Sequence, residues 1–414
     1  MKIYKMNDEK FKSIYISYNF TIEINDLDLF SQFSVLSAMM AKGSKLYPTQ
    51  KDIEKYLSSL YGSSFDVNIE KIGDLFNIEF RMELVNKKFI PSKECVLEKC
   101  LIFMKEMIYN QLEFTDNNVE REKGFILERI NERKDDKLKY GIERAQELLC
   151  KGQPFGMYLY GDIESLNKVT KEKLQVCYTK LADAAITVII TGNLSGYDNI
   201  DEIINNIFKS NIKSTKRLEQ LIYNVKPSVN NEFEEVKEIQ DTAQSVLSLG
   251  FRIDNDTIHD FYALNIYNAI LGTTPSSKLF QNVREKESLA YTVRSRYYRF
   301  KSIIVVYAGI NKENYEKAML VIKEQIDDMK SGNISQLEFE SAKESLISDL
   351  LEWKDSKIAL AKMKLSNILV LKDSEIDIEE MIKYISQITL EEVIKVAEKI
   401  TLEKVFLLGG EDNA

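Results

Sequence analysis

The segment Ser276-Ser277-Lys278-Leu279-Phe280-Gln281-Asn282-Val283-Arg284-Glu285-Lys286-Glu287-Ser288-Leu289-Ala290-Tyr291 sets the order of elements in the second half of the chain. Its pattern predicts a helix over about Ser277–Glu285, and an apolar strand is predicted at Ile303–Ala308. Before it, an apolar helical pattern at Phe261–Leu271 ends at Gly272-Thr273-Thr274-Pro275. The predicted order is therefore helix, stop, helix, strand.

The first half of the chain repeats this order. A helical pattern at Phe30–Met40 ends at Lys42-Gly43-Ser44, and a second helix at Gln50–Leu60 precedes an alternating strand at Leu75–Met82. Both halves also end alike, with a helix that begins after a threonine, then an apolar strand and a glycine. In the first half these are Thr170, Ile186–Ile190 and Gly192, and in the second half they are Thr389, Val405–Leu408 and Gly409. This repeated order of helices and strands indicates two duplicated α+β domains.

The stretch from Lys209 to Glu232 is polar and lysine-rich and contains Pro227. Such a stretch buries little apolar area, so we expect residues 209–232 to be a linker between domains at 1–208 and 233–414. Capping boxes at Ser335-x-x-Glu338 and Thr389-x-x-Glu392 predict helix starts. Continuous apolar strands such as Ser245–Phe251 predict sheets with at least one face covered by helices.

Composition narrows the functional classes. The 414 residues carry 65 acidic and 56 basic side chains, for a formal charge of −9, and no basic patch suited to nucleic acid stands out. The N-terminus has no apolar signal-peptide core, and no run of about 18 apolar residues predicts a membrane span. The four cysteines are spread without a C-x-x-C pair and are expected to be structural thiols. We therefore expect a cytoplasmic protein that binds neither nucleic acid nor membrane.

The segment from Ser276 to Tyr291 closely resembles the signature of the second domain of the insulinase/pitrilysin family of inverzincin peptidases. This resemblance implies two homologous α/β-roll domains of the processing-peptidase type, joined by a linker and forming half of a clam-shell chamber. In that family, two histidines of an H-x-x-E-H helix bind zinc. The present chain has one histidine, His259, so it cannot supply both imidazoles.

The resemblance also identifies the positions where the zinc motif has been lost. Aligning the family's motif ending on Lys42-Gly43-Ser44 places Ser34 and Ala38 at the two histidines and Ser37 at the catalytic glutamate. Hydroxyl and methyl groups replace the imidazoles and the carboxylate that the chemistry requires. The lone His259 is expected to be a capping or surface group.

The helix that would supply the third ligand is also altered. Counting seven residues from Glu122 places Arg129 at the ligand position, where a guanidinium would repel a metal cation. We expect Glu122 and Glu128 to be ordinary surface charges of a helix. The sequence therefore predicts no metal and no other cofactor in this chain.

Arg284 and Tyr291 match the family's arginine and tyrosine, seven residues apart, that face substrate across the cleft. The resemblance implies that Arg284 holds a peptide carbonyl or carboxylate and that Tyr291 donates a hydrogen bond to the oxyanion. The alternative from the residues alone is that Arg284 pairs with a neighbouring acid such as Glu287, while Tyr291 merely begins a strand.

Two functions follow from the resemblance. The chain is expected to be a catalytically incomplete subunit that binds unfolded or short peptides and lends Arg284 and Tyr291 to a zinc-bearing sister subunit. The zinc would then belong to the partner, and the chain alone would cleave nothing. The alternative is a non-catalytic scaffold or peptide-binding protein that keeps only the fold. A self-sufficient enzyme with a different metal set lacks the ligands it would need.

Overall fold

The computed structural model describes residues 1–91, 95–221, 232–240, 242, 244–254, 260–371 and 376–409. It confirms the predicted α+β fold, with two five-stranded sheets and helices packed against them. The first sheet has the order β1-β5-β2-β4-β3. Its strands are β1 (Lys2–Asn7), β2 (Ser13–Glu23), β3 (Ser64–Ile72), β4 (Leu75–Val85) and β5 (Ala185–Gly192).

The second sheet repeats this topology as β6-β10-β7-β9-β8. In each sheet the first pair of strands is parallel and the other three pairs are antiparallel. Identical strand order and direction confirm the duplication predicted from the repeat. The strands are β6 (Glu234–Ile239), β7 (Ser245–Ile253), β8 (Ala290–Tyr298), β9 (Ile303–Ile310) and β10 (Ile400–Gly409).

Helices occupy most of the remaining described chain. Those of the first half are α1 (Leu29–Lys42), α2 (Gln50–Ser59), α3 (Val96–Tyr109), α4 (Asp116–Glu132), α5 (Lys137–Leu149), α6 (Ile163–Asn167), α7 (Lys171–Lys180) and α8 (Ile200–Phe208). Those of the second half are α9 (Asp260–Asn268), α10 (Tyr315–Lys330), α11 (Gln336–Trp353), α12 (Lys357–Leu371), α13 (Ile378–Gln387) and α14 (Leu390–Ala397).

The predicted helix starts are confirmed at the atomic level. Thr389 and Glu392 form a reciprocal capping box at α14, and Ser335 and Glu338 exchange the same pair of bonds before α11. These side chains satisfy amide groups that the first turn of a helix leaves without partners. The predicted helix at Ser277–Glu285 is π-helical over Phe280–Lys286.

The two compact units of the structure exchange segments. One unit comprises residues 1–131, 158–223 and 354–374, and the other comprises 132–157, 224–353 and 375–414. Helix α5 thus belongs with the second sheet, where it contacts β7, β9 and β10, while α12 contacts β5 and β2 of the first. The contiguous domains expected at 1–208 and 233–414 do not include this exchange. Residues 222–231 of the expected linker at 209–232 lie outside the described residues.

The exchange bears on strand β4, whose alternating sequence gives it one polar face. Asn77 and Glu79 on that face are only 0% and 2% exposed. Glu79 accepts hydrogen bonds from Tyr15 and Ser17 of β2, so the buried carboxylate has partners. Polar residues therefore lie on a buried face because a helix from the other half of the chain contacts the same sheet.

Candidate functional site: a degenerate zinc helix and an exposed Arg–Tyr pocket

Helix α1 carries Ser34, Ser37 and Ala38, the positions that the resemblance assigns to the family's zinc motif. Ser34 and Ser37 are 1% and 4% exposed. The Ser34 hydroxyl donates to the carbonyl of Leu159 at 3.1 Å, and the Ser37 hydroxyl donates to the carbonyl of Phe33 at 2.7 Å. Both hydroxyls are thus engaged by backbone oxygens and serve packing within the fold.

The other two positions also lack metal-binding chemistry. Ala38 has only a methyl group, and Arg129 is exposed near the end of α4, where its carbonyl accepts a hydrogen bond from Tyr158 at 3.3 Å. These groups do not fit a zinc ion, which binds imidazole, thiolate or carboxylate ligands. Across the described ranges, no cluster of three or more His, Cys, Asp or Glu side chains could hold a metal.

Glu122 departs from the surface position predicted for it. It is 1% exposed and shares the buried face of α4 with Val119 and Ile126, whereas Glu128 is exposed as predicted. One carboxylate oxygen lies 3.0 Å from Arg121 Nε, and Oε2 is buried with no hydrogen-bond partner among the described residues. The spacing 119, 122, 126 is an apolar helical stripe, so the sequence did carry a signal of this burial.

Arg284 and Tyr291, in contrast, lie together. They line one pocket of about 270 Å³ with Ser288, Asn311 and Asn314 among its other walls. The Arg284 side chain is 43% exposed and its guanidinium lies over the Phe280 ring, 4.7 Å from the ring centre. Tyr291 is 56% exposed. The pocket therefore presents a forked cationic donor and a phenol on the same surface.

Local backbone geometry positions this pair. Arg284 lies in the π-helical segment, which the amide of Leu289 closes by donating to the carbonyl of Val283 at 2.9 Å. Ser288 then takes a left-handed conformation with φ of 52°. Tyr291 follows on edge strand β8, where the pairing register with β9 shifts between Ala290 and Thr292. Such an irregularity redirects a side chain at the end of a strand.

The alternative that Arg284 only pairs with a neighbouring acid holds in part. Glu287 pairs with Lys317 at 2.7 Å, so it is not the partner of Arg284. Glu285 is the neighbouring acid, with 3.5 Å between its Oε1 and Arg284 Nε, and both side chains are about half exposed. An exposed contact at this distance contributes little stability and leaves the guanidinium accessible.

The remaining reactive residues do not add to these sites. All four cysteines are free thiols, and burial raises the pKa of Cys100 to about 11 and that of Cys177 to about 12, which disfavours their thiolate forms. His259 lies outside the described residues. Within the described ranges, no helix combines the length and apolar character needed to cross a bilayer.

Comparisons with known proteins agree with this arrangement. A family model described as the peptidase M16 inactive domain matches residues 168–346, which include Arg284 and Tyr291. The probable inactive metalloprotease YmfF of Bacillus subtilis is 29% identical over 360 residues, covering 86% of this chain and 83% of YmfF.

Solved structures share the whole fold. A conserved protein from Enterococcus faecalis V583 has a TM-score of 0.88 at 25% identity, with 100% of this chain and 97% of that chain covered. A peptidase M16 inactive domain from Pseudomonas fluorescens has a TM-score of 0.80 at 16% identity, with 99% and 96% covered.

The duplicated α+β units and these relatives define a metallopeptidase-like protein of the kind described as inactive, and the described residues form no cluster that could hold a metal. Residues 168–346 match the peptidase M16 inactive domain, and the chain is similar to insulinase/pitrilysin-like M16 proteins that are described as inactive, as the resemblance of its sequence led us to expect.

Proposed function

We propose that this chain is the catalytically incomplete subunit of a zinc metallopeptidase pair. It binds an unfolded or short peptide and contributes Arg284 and Tyr291 to the active site of a zinc-bearing sister subunit. The observation that carries the proposal is the exposed pocket that these two side chains share. It is supported by the Ser34 and Ser37 hydroxyls of α1, which donate to backbone carbonyls and stand where the resemblance would place zinc-motif side chains.

The chemistry of the pocket suits a peptide undergoing hydrolysis. A guanidinium offers several donors in a fixed plane to carbonyl or carboxylate oxygens. A phenol can donate to an oxyanion that forms at a carbonyl carbon. Neither group generates a nucleophile, so in this proposal zinc and its bound water belong to the partner.

The test is reconstitution of the pair. A sister subunit with an intact H-x-x-E-H motif is purified from the native host and assayed for peptide cleavage alone, with this chain, and with variants of it. We expect cleavage to require both subunits. Tyr291→Phe should lower turnover on the order of 100–1,000-fold, the usual effect of removing one oxyanion donor. Tyr384→Phe is the matched control, because Tyr384 is 37% exposed on α13 and does not line the pocket.

Variants of Arg284 distinguish an effect on substrate binding from an effect on turnover. If the guanidinium holds substrate and transition state alike, Arg284→Ala raises KM more than it lowers kcat. Arg284→Lys keeps the charge without the fork and should recover only part of the loss. Should Tyr291→Phe stay within about threefold of the native pair while the complex still forms, no donor contribution of this size is present. The scaffold function would then replace this proposal.

A further inference from the structure

We propose that Asn311 is a positioning residue for Tyr291, and that its amide sets the direction in which the phenol proton points. This inference rests on the proposed function, because it concerns how the pocket donates a hydrogen bond to a substrate. Asn311 would not touch the substrate itself.

The first observation is the contact. The Tyr291 hydroxyl donates to Oδ1 of Asn311 at 3.2 Å, and among the described residues Asn311 is its only hydrogen-bond partner. The two residues are 20 apart in the chain and meet because Asn311 directly follows β9, beside the irregular start of β8. The contact therefore limits the swing of a side chain that is more than half exposed.

The second observation is what Asn311 does not do. It precedes a 3-10 turn at Lys312–Asn314 and has the extended backbone of a capping residue, with φ of −76° and ψ of 148°. Asparagine at such a position commonly bonds to an amide of the following turn. Here its side chain makes no capping hydrogen bond and is directed to Tyr291 instead.

The loop that carries Tyr291 is held from the same turn. Asn314 Nδ2 donates to the carbonyl of Leu289 at 3.4 Å, two residues before Tyr291. Asn311 thus contacts the Tyr291 hydroxyl, and Asn314 contacts the backbone of the same loop. Both asparagines line the pocket. Loss of Asn311 should release the phenol while Asn314 still holds the backbone.

An amide suits this position because it carries both a hydrogen-bond acceptor, Oδ1, and a donor, Nδ2. With Oδ1 toward the phenol, the single phenol proton is engaged by Asn311. After a half turn of the amide, Nδ2 donates to the phenol oxygen and the proton is available to an oxyanion. A donor that itself accepts a hydrogen bond is also strengthened. A carboxylate can only accept hydrogen bonds, so the phenol O–H would stay directed to it and would not be available to an oxyanion.

The test uses two substitutions whose ranking reverses between explanations. Asn311→Asp is nearly identical in shape but only accepts, whereas Asn311→Leu neither accepts nor donates. A purely structural role makes leucine the worse variant. The positioning role makes aspartate the worse one, with turnover of the reconstituted pair reduced on the order of 100-fold, as for loss of the donor. Asn311→Leu should cost up to about tenfold, the value of one neutral hydrogen bond.

A double-mutant cycle identifies the route of the effect. In a Tyr291→Phe background, Asn311→Leu should cause no further loss, because the group it positions is absent. Equal losses in both backgrounds, or leucine worse than aspartate, overturn the inference. If Tyr291→Phe impairs the pair while both Asn311 variants match the native chain, only the positioning role fails. If Tyr291→Phe is harmless, the proposed function and this inference fall together.

A measurement without the partner checks the contact. In nuclear magnetic resonance spectra of the isolated chain, Tyr291→Phe should shift the side-chain amide resonances of Asn311. Tyr384→Phe should leave them unchanged. Unshifted resonances in Tyr291→Phe would show that the two side chains do not bond in solution, which also overturns the inference.

Discussion

Replacing Leu149 by alanine should destabilise the second unit and leave the first unchanged. Leu149 is the last residue of α5 and is 0% exposed, although α5 comes from the first half of the chain. In the structure it packs on Gly250 of β7, where an added Cβ would meet Leu149 Cδ1 at 2.7 Å. Glycine thus allows the helix to approach the strand closely.

The magnitude follows from the burial. Truncating a fully buried leucine costs about 2–5 kcal/mol through lost transfer free energy and the remaining cavity. Gly250→Ala alone should cost about 1–3 kcal/mol, because the new methyl would lie 2.7, 2.9 and 3.2 Å from three side-chain atoms of Leu149. In the double variant the methyl added at position 250 occupies part of the cavity left by Leu149. The double variant should therefore lose at least about 1 kcal/mol less stability than the sum of the two single variants.

Hydrogen exchange with mass spectrometry resolves the two units separately. Leu149→Ala should increase exchange in β7 and leave β2 at the native rate. Leu101→Ala is the matched control, since Leu101 is equally buried on α3, which contacts β4 of the first sheet. Faster exchange in β2 after Leu149→Ala, or strictly additive costs with Gly250→Ala, would refute the exchange of α5.

Three further predictions use other features. Elemental analysis of the purified chain should find no stoichiometric zinc, and one tightly held zinc that resists brief chelation would contradict the reasoning from Ser34 and Ala38. Limited proteolysis should cut first within Lys209–Glu232, because that stretch is polar and poor in apolar anchors. First cuts inside Phe30–Met82 or Ile303–Leu351 would show that the domain boundary lies elsewhere. Burial raises the pKa of the Glu238 carboxyl, but hydrogen bonds from Tyr140 and Arg144 outweigh it and the net pKa lies below the ordinary value. The stability that this carboxylate contributes is present above the ordinary glutamate pKa and is lost as the pH falls through the lowered one. Glu238→Gln should therefore be less stable than the native chain near pH 7, with the difference vanishing in acid, as followed by denaturant unfolding at each pH; an equal difference at all pH values would exclude this linkage.

The sequence predicted most of the elements that carry the sites. The apolar period and the stop at Lys42-Gly43-Ser44 located α1, and the segment ending at Tyr291 located both residues of the pocket. These predictions succeeded because helix periods, caps and turn residues act over a few positions. The expected exposure of Glu122 was wrong, because this glutamate lies on the buried face of α4 with Val119 and Ile126.

The sequence by itself determined the α+β class, the duplication and the lack of a histidine pair, because each depends on residue identity or on order along the chain. The tertiary structure decided which sheet each exchanged helix covers. An amphipathic pattern shows that α5 has an apolar face, but it carries no information on the surface that face will meet. The pairing of β8 with β9 likewise decided that Asn311 meets Tyr291, because the register of these two antiparallel strands sets which residues face each other where the pair ends.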